Sequence, residues 1–215
     1  MRGGYGLAAM LVNCALALLL AFGPAAAAAP MRILALGDSI TAGYGLPPED
    51  ALPVKLEARL RADGFDATVI NGGVSGDTTA GGLARLDWAL ADHPGYAIVA
   101  LGANDMLRGL DPQQAYDNLD KILGRLHDAK VKALLVGMQA ATNWGRDYKQ
   151  AFDAIYPKLA AKWKVPLYPF LLDGVALDEK LNQGDGLHPN AAGVMVMVGR
   201  MAPMVEALLK GGGEG

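Results

Sequence analysis

The sequence predicts an α/β domain in which a parallel sheet is covered by helices on both faces, and three observations carry that expectation. Short apolar runs alternate with longer amphipathic stretches along the chain, the pattern of repeated strand–helix units. No internal repeat, charge block or long linker interrupts the alternation. With 52% hydrophobic and 19% charged residues in 215, the chain has material for one buried core and is too apolar to stay disordered.

The first 29 residues stand apart from this pattern. Arg2 precedes an apolar run from Leu7 to Phe22, Gly23-Pro24 breaks it, and a small-residue tract from Ala25 to Ala29 closes it before Pro30. A positive start, an apolar middle and an Ala-rich end read as a secretory signal peptide. An uncleaved anchor is the alternative, although the run is short for a span of about 20 residues. Cleavage near Ala29 takes 29 residues from 215 and leaves 186, with 18 bases facing 22 acids and a charge of −4. The expected organisation is a signal peptide over 1–29, one domain over 30–210 and a flexible Gly-rich tail over 211–215. The expected location is periplasmic or secreted, without a stable membrane span once the leader is gone.

The elements follow in order. Arg32 to Leu36 is a strand, and Leu52 to Ala62 carries Leu52, Leu56 and Leu60 at helical spacing. Ala67 to Asn71 is a second strand, followed by a Gly-rich loop and a helix over Thr78 to Leu90. Tyr96 to Leu101 is the third strand, and a helix spans Pro112 to Asp128. The fourth strand, Ala133 to Met138, leads through a polar loop to a helix over Tyr148 to Trp163. A short fifth strand lies at Val165 to Tyr168, and the last helix covers Ala191 to Leu209. In sheets of this type ligands bind beyond the carboxyl ends of the strands.

Composition excludes several chemistries. A formal charge of −3 without a basic cluster argues against a phosphate-neutralising nucleic-acid surface. Cys14 is the only cysteine and lies inside the leader, so the mature chain has no thiol nucleophile, disulfide or thiolate metal site.

Serine is the most informative residue because there are only two, Ser39 and Ser75, both in Gly-rich turns after strands. Ser39 lies in Gly37-Asp38-Ser39-Ile40-Thr41-Ala42-Gly43, where a tight turn can present its hydroxyl above the sheet; equally, Asp38 and Ser39 can serve as caps of a turn or helix start. Among the three histidines, His93 precedes Pro94 in a connection, and His127 sits near a helix C-terminus that favours an imidazolium. His188 follows Asp185 by three positions in Asp185-Gly186-Leu187-His188-Pro189-Asn190. If that loop turns back, the Asp185 carboxylate accepts from Nδ1 and leaves Nε2 free to take a serine proton. Alternatively, Asp185 and Asn190 only cap backbone amides. Acyl transfer also needs donors for an oxyanion. Asn71-Gly72-Gly73-Val74-Ser75-Gly76-Asp77-Thr78 and Gly102-Ala103-Asn104-Asp105, at two further strand ends, offer backbone amides and a neutral side-chain amide, or are simply tight turns.

Gly37-Asp38-Ser39, the Gly76 loop, Gly102-Ala103-Asn104-Asp105 and Asp185-Gly186-Leu187-His188 together resemble, in order and approximate spacing, the GDSL or SGNH hydrolase superfamily. The resemblance covers essentially the whole mature chain. Gly37 to Gly45, Ser75-Gly76-Asp77-Thr78, Leu101 to Gly109 and Ala154-Ile155-Tyr156-Pro157-Lys158-Leu159 are similar to its periplasmic group of acyl-CoA thioesterases, lysophospholipases and arylesterases. The resemblance implies a flavodoxin-like three-layer α/β/α sandwich with a five-stranded parallel sheet, the SGNH hydrolase fold. It implies Ser39 as nucleophile, His188 as general base and then acid, and Asp185 as the carboxylate orienting His188. The oxyanion donors it implies are the Ser39 amide, the Gly76 amide and the Asn104 side chain, with Gly72 and Gly73 as competing glycines and Ser75 as scaffold. A Gly-x-Ser-x-Gly elbow is absent, which argues against the α/β-hydrolase fold.

The expected reaction is hydrolysis of short-to-medium acyl or aryl esters and thioesters, with lysophospholipids also in range, by a monomer needing neither metal nor organic cofactor. Met106, Leu107 and Leu110 are candidates for one wall of an acyl groove, with Trp144 and Tyr148 as a further apolar patch. Leu107 and Leu110 packed under the next helix is the competing expectation. A carbohydrate acetylesterase of the same superfamily, or a secreted α/β module that holds a small ligand without reacting, are the rival functions.

Overall fold

A computed structural model describes residues 30–211; the segment read as a signal peptide, and 212–215 of the expected tail, lie outside the described residues. Five strands, β1 (Met31–Gly37), β2 (Ala67–Gly73), β3 (Tyr96–Ala100), β4 (Lys132–Val136) and β5 (Leu167–Tyr168), form one parallel sheet in the order β2-β1-β3-β4-β5. Ile33, Leu34 and Leu36 of β1 are buried, as are Ile98 and Val99 of β3 and Leu134 and Leu135 of β4. Strands covered on both faces read as continuous apolar runs rather than alternating ones, which is why these segments stand out in the sequence.

The helices are α1 (Ser39–Ala42) and α2 (Leu52–Ala62) after β1, α3 (Thr79–Ala84) and α4 (Leu86–Leu90) after β2, and α5 (Ala103–Leu107) and α6 (Pro112–Asp128) after β3. Next come α7 (Arg146–Asp153) and α8 (Ile155–Trp163) after β4, and α9 (Ala191–Lys210) ends the described chain. The chain steps from β1 to β2 in one direction across the sheet and from β2 through β3 to β5 in the other. Right-handed crossovers therefore put α2 on one face and the later crossover helices on the opposite face. In agreement, α2 packs with α9, whereas α6 packs with α3 and α8.

Local chemistry sets the helix ends. Asp111 caps α6 by accepting from the Gln113 amide at 2.9 Å, and Pro112 occupies the first turn, where its missing N–H costs nothing. Ala115, Leu119, Ile122, Leu123 and Leu126 form its buried stripe. Truncating a leucine there costs about 2–5 kcal/mol through lost transfer energy and a cavity. Among the described residues α9 alone is long and apolar enough to cross a membrane by length and composition; Val194, Met197, Val198, Met201 and Val205 on it are buried in the core.

Two expected helices are each divided. Thr78 to Leu90 breaks at Arg85, whose φ of −101° and ψ of 5° end α3 before α4 begins. Tyr148 to Trp163 breaks at Ala154, because Pro157 has no N–H for the carbonyl of Asp153 and its ring crowds that carbonyl.

The strand order places the reversal of chain direction between β1 and β3. The crevice at the carboxyl ends of these two strands is where this topology leaves room for a ligand. Ser39 follows β1 and Asn104 follows β3.

Candidate active site

The turn after β1 sorts its two polar residues by depth. Asp38 is 1% exposed, and its Oδ1 accepts from the Ile40 amide at 3.1 Å, capping the single turn of α1. The amides of Gly43 and Tyr44 both donate to the Ser39 carbonyl, at 3.1 and 3.0 Å, and close that turn. Asp38 is thus buried and Ser39 half-buried, and both line one cleft. Burial pushes the Asp38 carboxyl up to about 6, against the opposing pull of the Ile40 amide and of His188.

Ser39 meets a histidine 149 positions away: His188 Nε2 lies 2.9 Å from Ser39 Oγ. The other ring nitrogen, Nδ1, lies 2.6 Å from Asp185 Oδ2. A carboxylate at Nδ1 requires the hydrogen there, so Nδ1–H donates to Asp185 and Nε2 is left to accept from the serine hydroxyl. Asp185 also organises its own loop, because Oδ1 accepts from the amides of Leu187 at 2.9 Å and His188 at 3.0 Å. Those two amides, then the imidazole, hold the Asp185 carboxyl well below the usual carboxylate range. Asn190 performs the capping role, accepting from the Gly193 amide at 3.0 Å to start α9. The Tyr44 ring covers the imidazole at 4.8 Å between centroids, tilted by 41°.

Opposite this relay lie the donors. Gly102 has a φ of +120°, and a Cβ there would fall 2.2 Å from the Tyr156 hydroxyl, so only glycine permits the turn that starts α5. Asn104, on α5, donates from Nδ2 to the Asp77 carbonyl at 2.9 Å, and the same nitrogen stands 3.5 Å from Asp38 Oδ2. Gly76 adopts a φ of +83°, and its carbonyl accepts from Arg108 Nη2 at 2.8 Å. Among the described residues, the backbone N–H groups of Ser39 and Gly76 make no hydrogen bond within the protein. Behind them Asp105, 2% exposed, accepts from the Thr79 amide at 2.8 Å and from the Thr79 hydroxyl at 2.6 Å, fastening α5 to the start of α3. Burial raises the Asp105 carboxyl, and the two Thr79 bonds oppose that rise.

Ser39, His188, Gly76 and Asn104 share a cleft of about 280 Å³ whose apolar lining includes Ile40, Tyr44, Met106, Leu107, Leu172 and Leu187. Of the five apolar residues expected beside an acyl groove, Met106 and Leu107 are in this lining, and Leu110, Trp144 and Tyr148 are not. A Cβ on Gly109 would meet the Trp144 ring at 2.8 Å, so that ring lies against the Gly109 backbone, and it tilts against Tyr148 at 6.2 Å. The Leu110 carbonyl accepts from the Tyr148 hydroxyl at 2.9 Å, outside the cleft. Tyr44 and Leu187 adjoin the serine and histidine motifs, a proximity that flags them in the sequence. Leu172, beyond β5, carries no such signal.

A hydroxyl, an imidazole and a carboxylate in series, facing two backbone N–H groups without acceptors and a side-chain amide, can support acyl transfer through a serine ester. Comparison with known proteins agrees with that chemistry. The model of the GDSL-like lipase/acylhydrolase family matches residues 35–195. An arylesterase of Vibrio mimicus is 42% identical over 166 residues, 77% of this chain and 83% of that protein. The protein of Escherichia coli K12 named thioesterase 1/protease 1/lysophospholipase L1 is 40% identical over 184 residues, 85% of this chain and 87% of its own length. The crystal structure of TesA superposes with a TM-score of 0.78 at 38% identity, covering 82% of this chain and 99% of TesA.

Proposed function

The chain belongs to the GDSL-like lipase/acylhydrolase family and is a carboxylic ester hydrolase of the SGNH type, and on that premise we propose that Ser39 is its nucleophile. His188 is the general base and then acid, and Asp185 the carboxylate that orients it. The Ser39 Oγ–H proton passes to His188 Nε2 as Oγ bonds to the substrate carbonyl carbon, and the carbonyl π pair moves onto oxygen. The N–H groups of Ser39 and Gly76 and the Asn104 side chain receive that negative oxygen. Collapse breaks the bond to the alcohol or thiol, which takes the proton from Nε2. Water then repeats the sequence, releasing the acid and restoring Ser39.

The observation that carries this assignment is the unbroken series from Ser39 Oγ through both ring nitrogens of His188 to Asp185, at 2.9 and 2.6 Å. For substrates, the apolar cleft of about 280 Å³ favours aryl esters and short-to-medium acyl esters and thioesters. Lysophospholipid hydrolysis joins this list because a relative's name includes that activity. The leader reading of 1–29 supports export to the periplasm or beyond after cleavage near Ala29.

A fluorophosphonate probe combined with a substrate panel tests the proposal. Wild-type protein is expected to be labelled and to turn over the panel, and Ser39→Ala to lose kcat by on the order of 10⁴ to 10⁶ and escape labelling. Near-normal turnover by Ser39→Ala removes the nucleophile assignment, and strict preference for acetylated sugars replaces the substrate class. The mass of the exported protein locates the cleavage.

A further inference from the structure

Arg85 breaks the helical segment in which it lies and sends its side chain, 17% exposed, beneath the turns that carry the serine and the amide donors. Its Nε pairs with Asp77 Oδ2 at 2.5 Å, and its Nη2 donates to the Gly37 carbonyl at 2.9 Å. Both contacts lead directly to the reacting groups. The Asp77 carbonyl is the acceptor that orients Asn104 Nδ2, and Asp77 follows Gly76 in the chain. Gly37 precedes Asp38 and Ser39, and its carbonyl also accepts from the Val74 amide at 3.1 Å, tying the end of β1 to the loop after β2. Gly81 makes the arrangement possible, since a Cβ there would fall 2.6 Å from Asp77 Oδ1.

The cost of this contact is visible. Arg85 Nη1 is buried and makes no hydrogen bond among the described residues. A buried guanidinium with an unpaired donor is a poor device for stability, because desolvation offsets much of the ion pair. A planar fork is, however, well suited to fixing two acceptors at once. We infer that Arg85 is a positioning residue for the oxyanion pocket, holding the Asp77 segment and the Gly37 turn in the register that aims the Asn104 amide and the Ser39 N–H at one point. This inference rests on the serine hydrolase assignment above and adds to it a residue that never touches substrate.

The test is a double-mutant cycle on aryl ester hydrolysis, with kcat and KM measured separately. Arg85→Met is expected to lower kcat by roughly 10²-fold while KM moves less than about threefold, because a donor held off the oxyanion position costs the transition state alone. In an Asn104→Ala background the same substitution is expected to cost less than about fivefold, since the Asn104 donor is gone and only the hold on the Ser39 turn is left to lose. Arg85→Lys keeps a charge against Asp77 without the second fork contact; it is expected to lose about tenfold and supplies folded protein if Arg85→Met does not. Equal losses in both backgrounds, no loss in either, or a change confined to KM would overturn the inference. Near-normal kcat for Asn104→Ala alone would instead remove the pocket as drawn, and the role of Arg85 with it.

Discussion

The two ends of the sheet present opposite surfaces. At the amino ends of β4 and β5 lies a groove of about 740 Å³, lined by Leu123, Val131, Trp163, Val165 and Leu208 among others, well over twice the cleft beside Ser39. It also contains a histidine beside an aspartate: His127 Nδ1 is 3.6 Å from Asp128 Oδ1. Yet both side chains are largely exposed, at 72% and 84%, and the His127 ring rests against Trp163 rather than a hydroxyl. His188 is 21% exposed and engaged at both nitrogens. Neither cavity size nor His–Asp adjacency therefore makes a reaction site. What distinguishes the carboxyl end is the direction of the chain: β1, β2 and β3 each run out into a short turn that starts a helix, presenting N–H groups. The amino end instead receives helix C-termini, which present carbonyls. An oxyanion needs the former.

The sharpest way to break this contrast is to remove each histidine in turn. His188→Ala is expected to lower kcat for an aryl ester by on the order of 10⁴ to 10⁶, and His127→Ala to leave it within about twofold. A deficit in His127→Ala comparable to that of His188→Ala would mean that the amino-end groove takes part in turnover. A smaller effect is expected at the donors. Asn104→Ala should lower kcat by roughly 10² to 10³ with little change in KM, as removal of one oxyanion donor does. A rise in KM at constant kcat would make Asn104 a ground-state contact instead.

The same contrast explains which parts were legible in the sequence. The central strands β1, β3 and β4 were readable because parallel strands buried on both faces are continuous apolar runs, and the half-buried edge strands β2 and β5 were readable from their place in the strand–helix alternation. Ser39, Asp185 and His188 stood out because serine and histidine are scarce and because the Asp185–His188 spacing is local enough to imply one loop. Arg85 and Asp105 were not legible as parts of the site. Their partners, Gly37 and Thr79, lie 48 and 26 positions away, and no periodicity reports a side-chain bond of that reach. The break at Arg85 was hidden for the same reason: helical spacing continues through Leu83, Leu86 and Leu90, while the break coincides with the long-range bonds of the guanidinium. Its position after β4 suggests that Trp144 lies near the groove, but its ring lies against the Gly109 backbone instead.

The smallest expected effect concerns stability, and it separates the two ends by their tolerance of buried charge. Asp38 is held at about 6 in the folded chain against an ordinary value of 3.8, chiefly by burial. Below the lower value both folded and unfolded chains carry the proton, and Asp38 imposes no ionisation penalty. Between the two values the unfolded chain ionises first, so folded stability falls as pH rises, and above about 6 the loss is complete, amounting to about 3 kcal/mol as an order of magnitude. Asp38→Asn keeps an oxygen acceptor for the Ile40 amide and cannot ionise. Urea unfolding at pH 4 and pH 7.5 should therefore show the variant gaining on wild type as pH rises, with nearly all of the gain complete by pH 7. At the other end, Asp128→Asn, exposed beside His127, should change stability by less than about 0.5 kcal/mol. If wild type instead gained on Asp38→Asn toward neutral pH, the carboxylate would be stabilised by its partners. The carboxyl end would then hold its charge without the sacrifice of stability that marks a site organised for chemistry.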